Sequence, residues 1–93
     1  MPTLDTSTNT YAIRRARYDF AVDDLDQFLA AAALLASELA DYNKLPLHER
    51  LEREADDIRT LADIDDALYE ANEEVRSAAR RLASARASLS ILA

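Results

Sequence analysis

LADIDDALYEANEEVRSAARRLASARASLSIL, residues 61–92, repeats apolar side chains at an interval of seven residues. Two such lines run side by side, one of leucine and valine and the other mainly of alanine. Together they are Leu61, Ile64, Leu68, Ala71, Val75, Ala78, Leu82, Ala85, Leu89 and Leu92. Two apolar positions in every heptad are typical of a coiled coil. We call these ten residues the seam, and they predict a long helix over residues 61–92 that packs along it.

The residues before this helix are also typical of helix, because the chain has no glycine and only two prolines. We expect a polar tail over residues 1–10, a helix over about 11–42, a turn at 43–46 and a helix over about 46–59. Pro46 suits the first turn of the helix that follows it.

The first helix carries a wider apolar stripe than a two-helix contact needs. Its lines are Tyr11, Tyr18, Leu25, Ala32 and Leu39; Ala21, Phe28, Leu35 and Tyr42; and Val22, Leu29 and Ala36. We therefore expect this helix to be covered on more than one side.

The apolar pattern shifts by three residues near Thr60. This shift predicts either a local overwinding of one continuous helix over about 46–92 or a true break into two helices. TLAD, residues 60–63, has the spacing of a capping box at a helix N-terminus. The sequence leaves both alternatives open.

These elements predict an all-α fold, either an antiparallel helical hairpin or a three-helix bundle, with a long, coiled-coil-like C-terminal helix. Residues 11–93 then form a single helical domain. A hairpin that turns at 43–46 leaves residues 78–92 extending past the first helix, with apolar side chains uncovered. In that register Arg14, Arg15 and Arg17 lie opposite Glu74, Glu73 and Glu70, respectively.

The long helix separates its charges, which is unfavourable for a helix on its own. Like charges stand four residues apart at Asp66 and Glu70, and again at Arg76 and Arg80, where they repel. Two charged groups are therefore candidate binding residues. The acidic group is Asp63, Asp66, Glu70, Glu73 and Glu74. The basic group is Arg14, Arg15, Arg17, Arg76, Arg80, Arg81 and Arg86.

Self-association offers a second way to compensate the separated charges. An antiparallel homodimer centred near Val75 to Ala78 would pair Asp65 and Glu74 of one copy with Arg86 and Arg81 of the other. The alternative is that the seam packs inside a monomeric bundle and that the charges are solvated.

The composition excludes several kinds of chemistry. Without glycine the chain cannot form the phosphate-binding loops of nucleotide-binding folds. A single histidine, His48, and no cysteine provide too few ligands for a zinc site. The carboxylates lie on exposed helical positions rather than in a pocket that would separate their pKa values. We expect no catalytic residue, no metal and no cofactor.

The chain is acidic, with a formal net charge of -7, which argues against direct binding of nucleic acid. Its longest apolar run, residues 28–36, is shorter than a membrane span, and no secretory signal is evident. We expect a cytoplasmic protein.

The functional prediction is a non-enzymatic interaction or assembly protein, such as a virion-type subunit, that self-associates or docks a protein partner through the seam. The alternative is a small acidic inhibitor of the kind that phages use against host defence. It would resemble DNA in its charge spacing and block a basic nucleic-acid-binding site on a host protein.

Overall fold

The computed structural model describes the backbone of residues 2–92 and the side chains of residues 9–91. It contains three helices in the order α1 (Pro2–Lys44), α2 (Leu47–Asp56) and α3 (Leu61–Leu92). α1 and α3 pack against each other along their length. The result is a rod 73 Å long and 18 by 14 Å across. The all-α prediction is confirmed, and the arrangement is an antiparallel hairpin with α2 in its connection.

α1 begins at Pro2, so the polar tail expected over residues 1–10 is corrected to helix over residues 2–10. Proline is tolerated in a first helical turn, and nothing between Pro2 and Lys44 breaks a helix. The helix ends at Lys44 because Pro46 disfavours the helical conformation at the residue before it. The N–H of Leu45 bonds to the Tyr42 carbonyl over 3.1 Å and closes this end.

The chain between α2 and α3 contains a true break, not an overwound continuous helix. Asp57 and Arg59 have positive φ angles of 55° and 40°. The N–H groups of Asp57 and Ile58 bond to the carbonyls of Glu54 and Arg53, which is a Schellman motif. Glycine usually takes the left-handed position of that motif, and this glycine-free chain uses aspartate instead.

α3 starts with the capping box that the spacing of TLAD indicates. The Asp63 N–H donates to the Thr60 hydroxyl oxygen over 3.3 Å. In return, the Thr60 N–H donates to the Asp63 carboxylate over 3.1 Å. Both bonds satisfy N–H groups that the first helical turn leaves without carbonyl partners. Thr60 is itself buried, so the cap also closes the end of the hairpin.

The register of the hairpin differs from the expected one by two heptads. Arg14 lies opposite Ser88, where its guanidinium donates to the backbone carbonyl over 3.0 Å, and not opposite Glu74. α2 and its flanking residues lengthen the connection well beyond the expected turn at 43–46. A slide by whole heptads keeps the same helix faces together, so the seam is unaffected while every charge pairing changes.

The change of register removes the expected overhang of residues 78–92, since α1 now lies alongside them. The core between α1 and α3 is thin, because most of its fully buried residues are alanines. Its buried apolar members are Ala21, Ala32, Tyr42, Ile64, Ala71 and Ala78. Small side chains at these positions allow the two helices to approach closely.

α1 is covered by α3 on one side only, which corrects the expectation of cover on more than one side. The lines through Tyr18 and Ala21 face α3 and are buried or half-buried. Leu29 and Ala36, on the third line, are exposed, and so is Tyr11 at the open end. The described part of the chain therefore leaves Leu29 and Ala36 uncovered.

Candidate interaction surface

The seam lies in the contact between α1 and α3. Ile64, Ala71 and Ala78 are buried, whereas the remaining seam residues with described side chains are half-buried or, at Leu61, exposed. The side chain of Leu92 lies outside the described side chains. The seam therefore builds the hairpin itself, and a partner that used it would have to displace α1.

The connection end of the rod is held by a small polar cluster. The Tyr42 hydroxyl donates to a Glu54 carboxylate oxygen over 2.7 Å, and the Leu61 N–H donates to the same oxygen over 3.0 Å. These two bonds lower the pKa of Glu54, with the Tyr42 bond the larger cause. The same bond raises the pKa of Tyr42. The cluster ties the ends of all three helices together.

A bidentate ion pair joins α1 to the break before α3. The Arg59 guanidinium donates to both carboxylate oxygens of Glu38, over 2.6 and 2.9 Å. This pairing lowers the pKa of Glu38 and raises that of Arg59. Arg59 makes this pair from a backbone conformation with a positive φ angle of 40°.

The acidic group is divided between structural and free carboxylates. Asp63 belongs to the capping box, and Glu73 is half-buried and ion-paired with Arg76. Asp66, Glu70 and Glu74 are exposed and have no hydrogen bond or ion pair to any described residue. The acidic group, whose charge spacing was predicted to resemble that of DNA, thus keeps three of its five carboxylates without a partner among the described residues.

The three arginines of α1 in the basic group do not pair with the acidic group of α3 as expected. Arg15 pairs with Asp19 over 3.3 Å and stacks on Tyr18, whose ring centroid lies 5.4 Å from the guanidinium carbon. Arg81 reaches across to Asp24 of α1 over 2.8 Å. Arg80 bonds to the Ser77 hydroxyl in its own helix. The expected pairs of Arg14, Arg15 and Arg17 with Glu74, Glu73 and Glu70 are therefore wrong.

The antiparallel hairpin brings like charges to the same end of the rod. The guanidinium groups of Arg17 and Arg86 have no hydrogen bond or ion pair to any described residue, and Arg86 lines a shallow hollow together with Arg15. The open end, where α1 starts and α3 finishes, is consequently basic, and the connection end is acidic. The charge separation in the sequence becomes a charge separation along the rod.

Large apolar side chains lie uncovered on one side of α1. Ile13, Phe20 and Leu34 recur at heptad spacing together with Gln27 and Asp41, and we call these five residues the side face. Phe20 is 70% exposed and Leu34 is 73% exposed. This line is not among the three predicted from the sequence, because the polar residues Gln27 and Asp41 interrupt it. The same interval of seven residues, applied to residue 13, would have found it.

Two grooves flank the side face. One, of about 610 Å³, lies at the open end between Ile13 and Phe20 of α1 and Ser84 and Ser88 of α3. The other, of about 290 Å³, lies beside Leu34 near the connection. Both grooves are open to solvent and border a large exposed side chain.

α2 also presents apolar side chains to solvent. Leu47 and Leu51 are exposed, as is Ile58 just after the helix. The side of α2 that meets α1 is instead the polar one, since the Tyr42 hydroxyl contacts the Arg50 carbonyl and Glu54. α2 thus adds a second apolar surface that the single chain leaves uncovered.

Within the described part of the chain, no group of His, Asp and Glu side chains is arranged to hold a metal ion. None of the helices among the described residues combines the length and apolar character of a membrane span. Comparisons with protein-family models, with curated proteins and with solved structures gave no match to this chain.

Proposed function

We propose that this protein is a non-enzymatic helical interaction protein whose apolar surfaces are covered by a protein partner, in the first place by another copy of the chain. The observation that carries the proposal is the exposure of Phe20 and Leu34 on one face of α1, together with that of Leu47 and Ile58 around α2. Scattered apolar side chains are normal on a monomer. Recurrence along one helix face, next to grooves, is typical of a contact surface.

The thin core supports the same proposal. Each Å² of buried apolar area contributes about 25 cal/mol of stability. Because alanine buries little apolar area, the contact between α1 and α3 contributes less stability than it would with larger side chains. A hairpin of two long helices with this core gains stability when the helices of a partner cover its open sides. In this proposal the seam forms the hairpin, and the exposed apolar residues form the contact with the partner.

The first test is the molar mass in solution, measured by light scattering behind a sizing column from low micromolar to high micromolar concentration. A dimer or larger species whose population rises with concentration supports the proposal. A strict monomer throughout that range contradicts self-association. If, in addition, Phe20→Ser, Leu34→Ser and Leu47→Ser each left the thermal midpoint and the solubility unchanged, the apolar surfaces would have no role and the proposal would fail.

The free carboxylates favour one second candidate, an acidic inhibitor that occupies a basic site on a nucleic-acid-binding protein. Asp66, Glu70 and Glu74 are exposed without partners, whereas Asp63 has a structural role in the cap. The discriminating variant is therefore Asp66→Asn with Glu70→Gln, which leaves the cap intact. Unchanged competition with a model DNA duplex for a basic DNA-binding protein would exclude this candidate, and loss of competition would support it.

A further inference from the structure

The residues of the side face are spaced symmetrically about Gln27. Along α1, Phe20 and Leu34 stand seven residues on either side of Gln27, about 10 Å from it at 1.5 Å per residue. Ile13 and Asp41 stand one heptad further out. A two-fold axis through Gln27, perpendicular to α1, would therefore place Phe20 of one copy at the level of Leu34 of another.

We propose that a second copy of this chain docks antiparallel on the side face, about a two-fold axis at Gln27, to give a four-helix rod. This inference rests on the proposed function and specifies its surface. Each Phe20 then covers the groove beside Leu34 of the other copy, and each Leu34 covers the groove beside Phe20. A two-fold contact of this kind is self-complementary, because one patch serves both copies.

The charges select the antiparallel direction. A parallel dimer would align two basic open ends and two acidic connection ends, which repel one another. The antiparallel dimer sets each basic end beside an acidic one. Arg17, which has no partner among the described residues, then lies within about one helical turn of Asp41 of the other copy. Asp41 is likewise exposed and has no partner among the described residues.

The position of Glu70 on α3 also favours the antiparallel direction of the dimer. Arg81 bonds to Asp24, and this register places Glu70 beside the Leu34 level of α1. In the antiparallel dimer that level meets the region of Phe20 and Arg17 of the second copy. A free carboxylate and a free guanidinium therefore meet twice, once on each side of the axis.

The test uses the absence of cysteine in the chain. Gln27→Cys places one thiol per chain on the proposed axis, and Ala36→Cys is the matched control. Ala36 is also exposed on α1, but nine residues correspond to two and a half turns, which puts it on the opposite side. Under mild oxidation at micromolar protein, we expect Gln27→Cys to form a disulfide-linked dimer at least tenfold faster than Ala36→Cys. Equal rates would overturn the inference.

A second pair of variants tests the contact without a disulfide. Phe20→Glu should raise the dissociation constant of the dimer at least tenfold. Tyr69 is 68% exposed and lies on the other side of the rod, so Tyr69→Glu should leave the dissociation constant unchanged. Arg17→Glu should also weaken the dimer, and adding Asp41→Arg should restore it. If the wild type associates but Phe20→Glu and Gln27→Cys behave like their controls, the side-face dimer is wrong and the proposed function stands. If the wild type stays monomeric, the side-face dimer is wrong, and the proposed function is then decided by the serine variants of Phe20, Leu34 and Leu47.

Discussion

Tyr42 at the end of α1 donates a hydrogen bond of 2.7 Å to the Glu54 carboxylate in α2, and the same oxygen accepts the N–H of Leu61 at the start of α3. One carboxylate oxygen thus links the three helices. Without it, α2 would have few contacts to fix its position, since none of its residues is buried.

This link makes the stability of the connection end depend on pH. The folded pKa of Glu54 is lowered, so its contribution is present above the ordinary glutamate pKa and is lost as pH falls through the folded value. We expect wild type to unfold at a higher temperature than Glu54→Gln at pH 7, and the difference to disappear toward pH 3. Glu52→Gln on the same helix is the control. A difference that stays constant from pH 7 to pH 3 would contradict the role of the charge.

The packing of Ala78 gives a prediction for the core. Ala78 has 0% exposure in the contact between α1 and α3, so Ala78→Leu must push the helices apart. We expect a loss of about 1–3 kcal/mol in the free energy of unfolding, measured by urea titration. Ala79 is the adjacent, exposed residue, and Ala79→Leu should change stability by less than about 0.5 kcal/mol. Similar effects at both positions would show that the helices are not closely packed at Ala78.

The capping box of α3 predicts a second stability effect. Thr60→Ala removes the hydroxyl that accepts the Asp63 N–H and should lower the free energy of unfolding by about 1 kcal/mol. Thr60→Ser keeps the hydroxyl and should preserve most of the stability. An alanine variant as stable as the serine variant would mean that the box contributes nothing.

Asp57 occupies a backbone conformation that glycine adopts more easily. Its φ of 55° lies in the left-handed region, which is unfavourable for residues with a Cβ atom. Asp57→Gly should therefore raise the free energy of unfolding by about 0.5–1 kcal/mol. Asp56→Gly, inside the last turn of α2, is the counterpart and should lower it. Destabilisation by both substitutions would show that the Asp57 side chain matters more than its backbone.

Neutralising a free carboxylate of α3 should stabilise the chain, whereas neutralising Glu54 should destabilise it. Asp66 and Glu70 are four residues apart, and no cation among the described residues pairs with either of them. Asp66→Asn should stabilise the monomeric chain by about 0.2–0.5 kcal/mol at low salt. The gain should shrink in 1 M salt, where the Debye length falls to about 3 Å. Thermal unfolding at the two ionic strengths measures it, and a loss of stability at low salt would reveal a partner for Asp66.

The sequence predicted the elements better than their register. The heptad pattern identifies α3 and the faces of both long helices, because an apolar stripe of that period must pack against another one. The same period cannot fix which heptad of α3 meets which heptad of α1. The register was wrong because it took the turn at 43–46 as the whole connection, whereas the connection also contains α2 and the break at Asp57 and Arg59.

The candidate surface was less predictable than the fold. Charge pairs such as Arg81 with Asp24 depend on the register and changed with it. Phe20 and Leu34 belong to a weak heptad line, interrupted by Gln27, beside a much stronger one. A sequence pattern indicates which residues repeat, but burial shows which repeats are left without a neighbour.

The heptad seam also determines how this rod can vary in length. Adding seven residues to each long helix at matching levels would preserve every kind of contact along the seam and extend the rod by about 10 Å. Adding one residue instead would rotate everything beyond it by about 100° and expose the alanines. Evolution can therefore lengthen or shorten such a hairpin by whole heptads. The cluster around Glu54 at the connection end would stay unchanged.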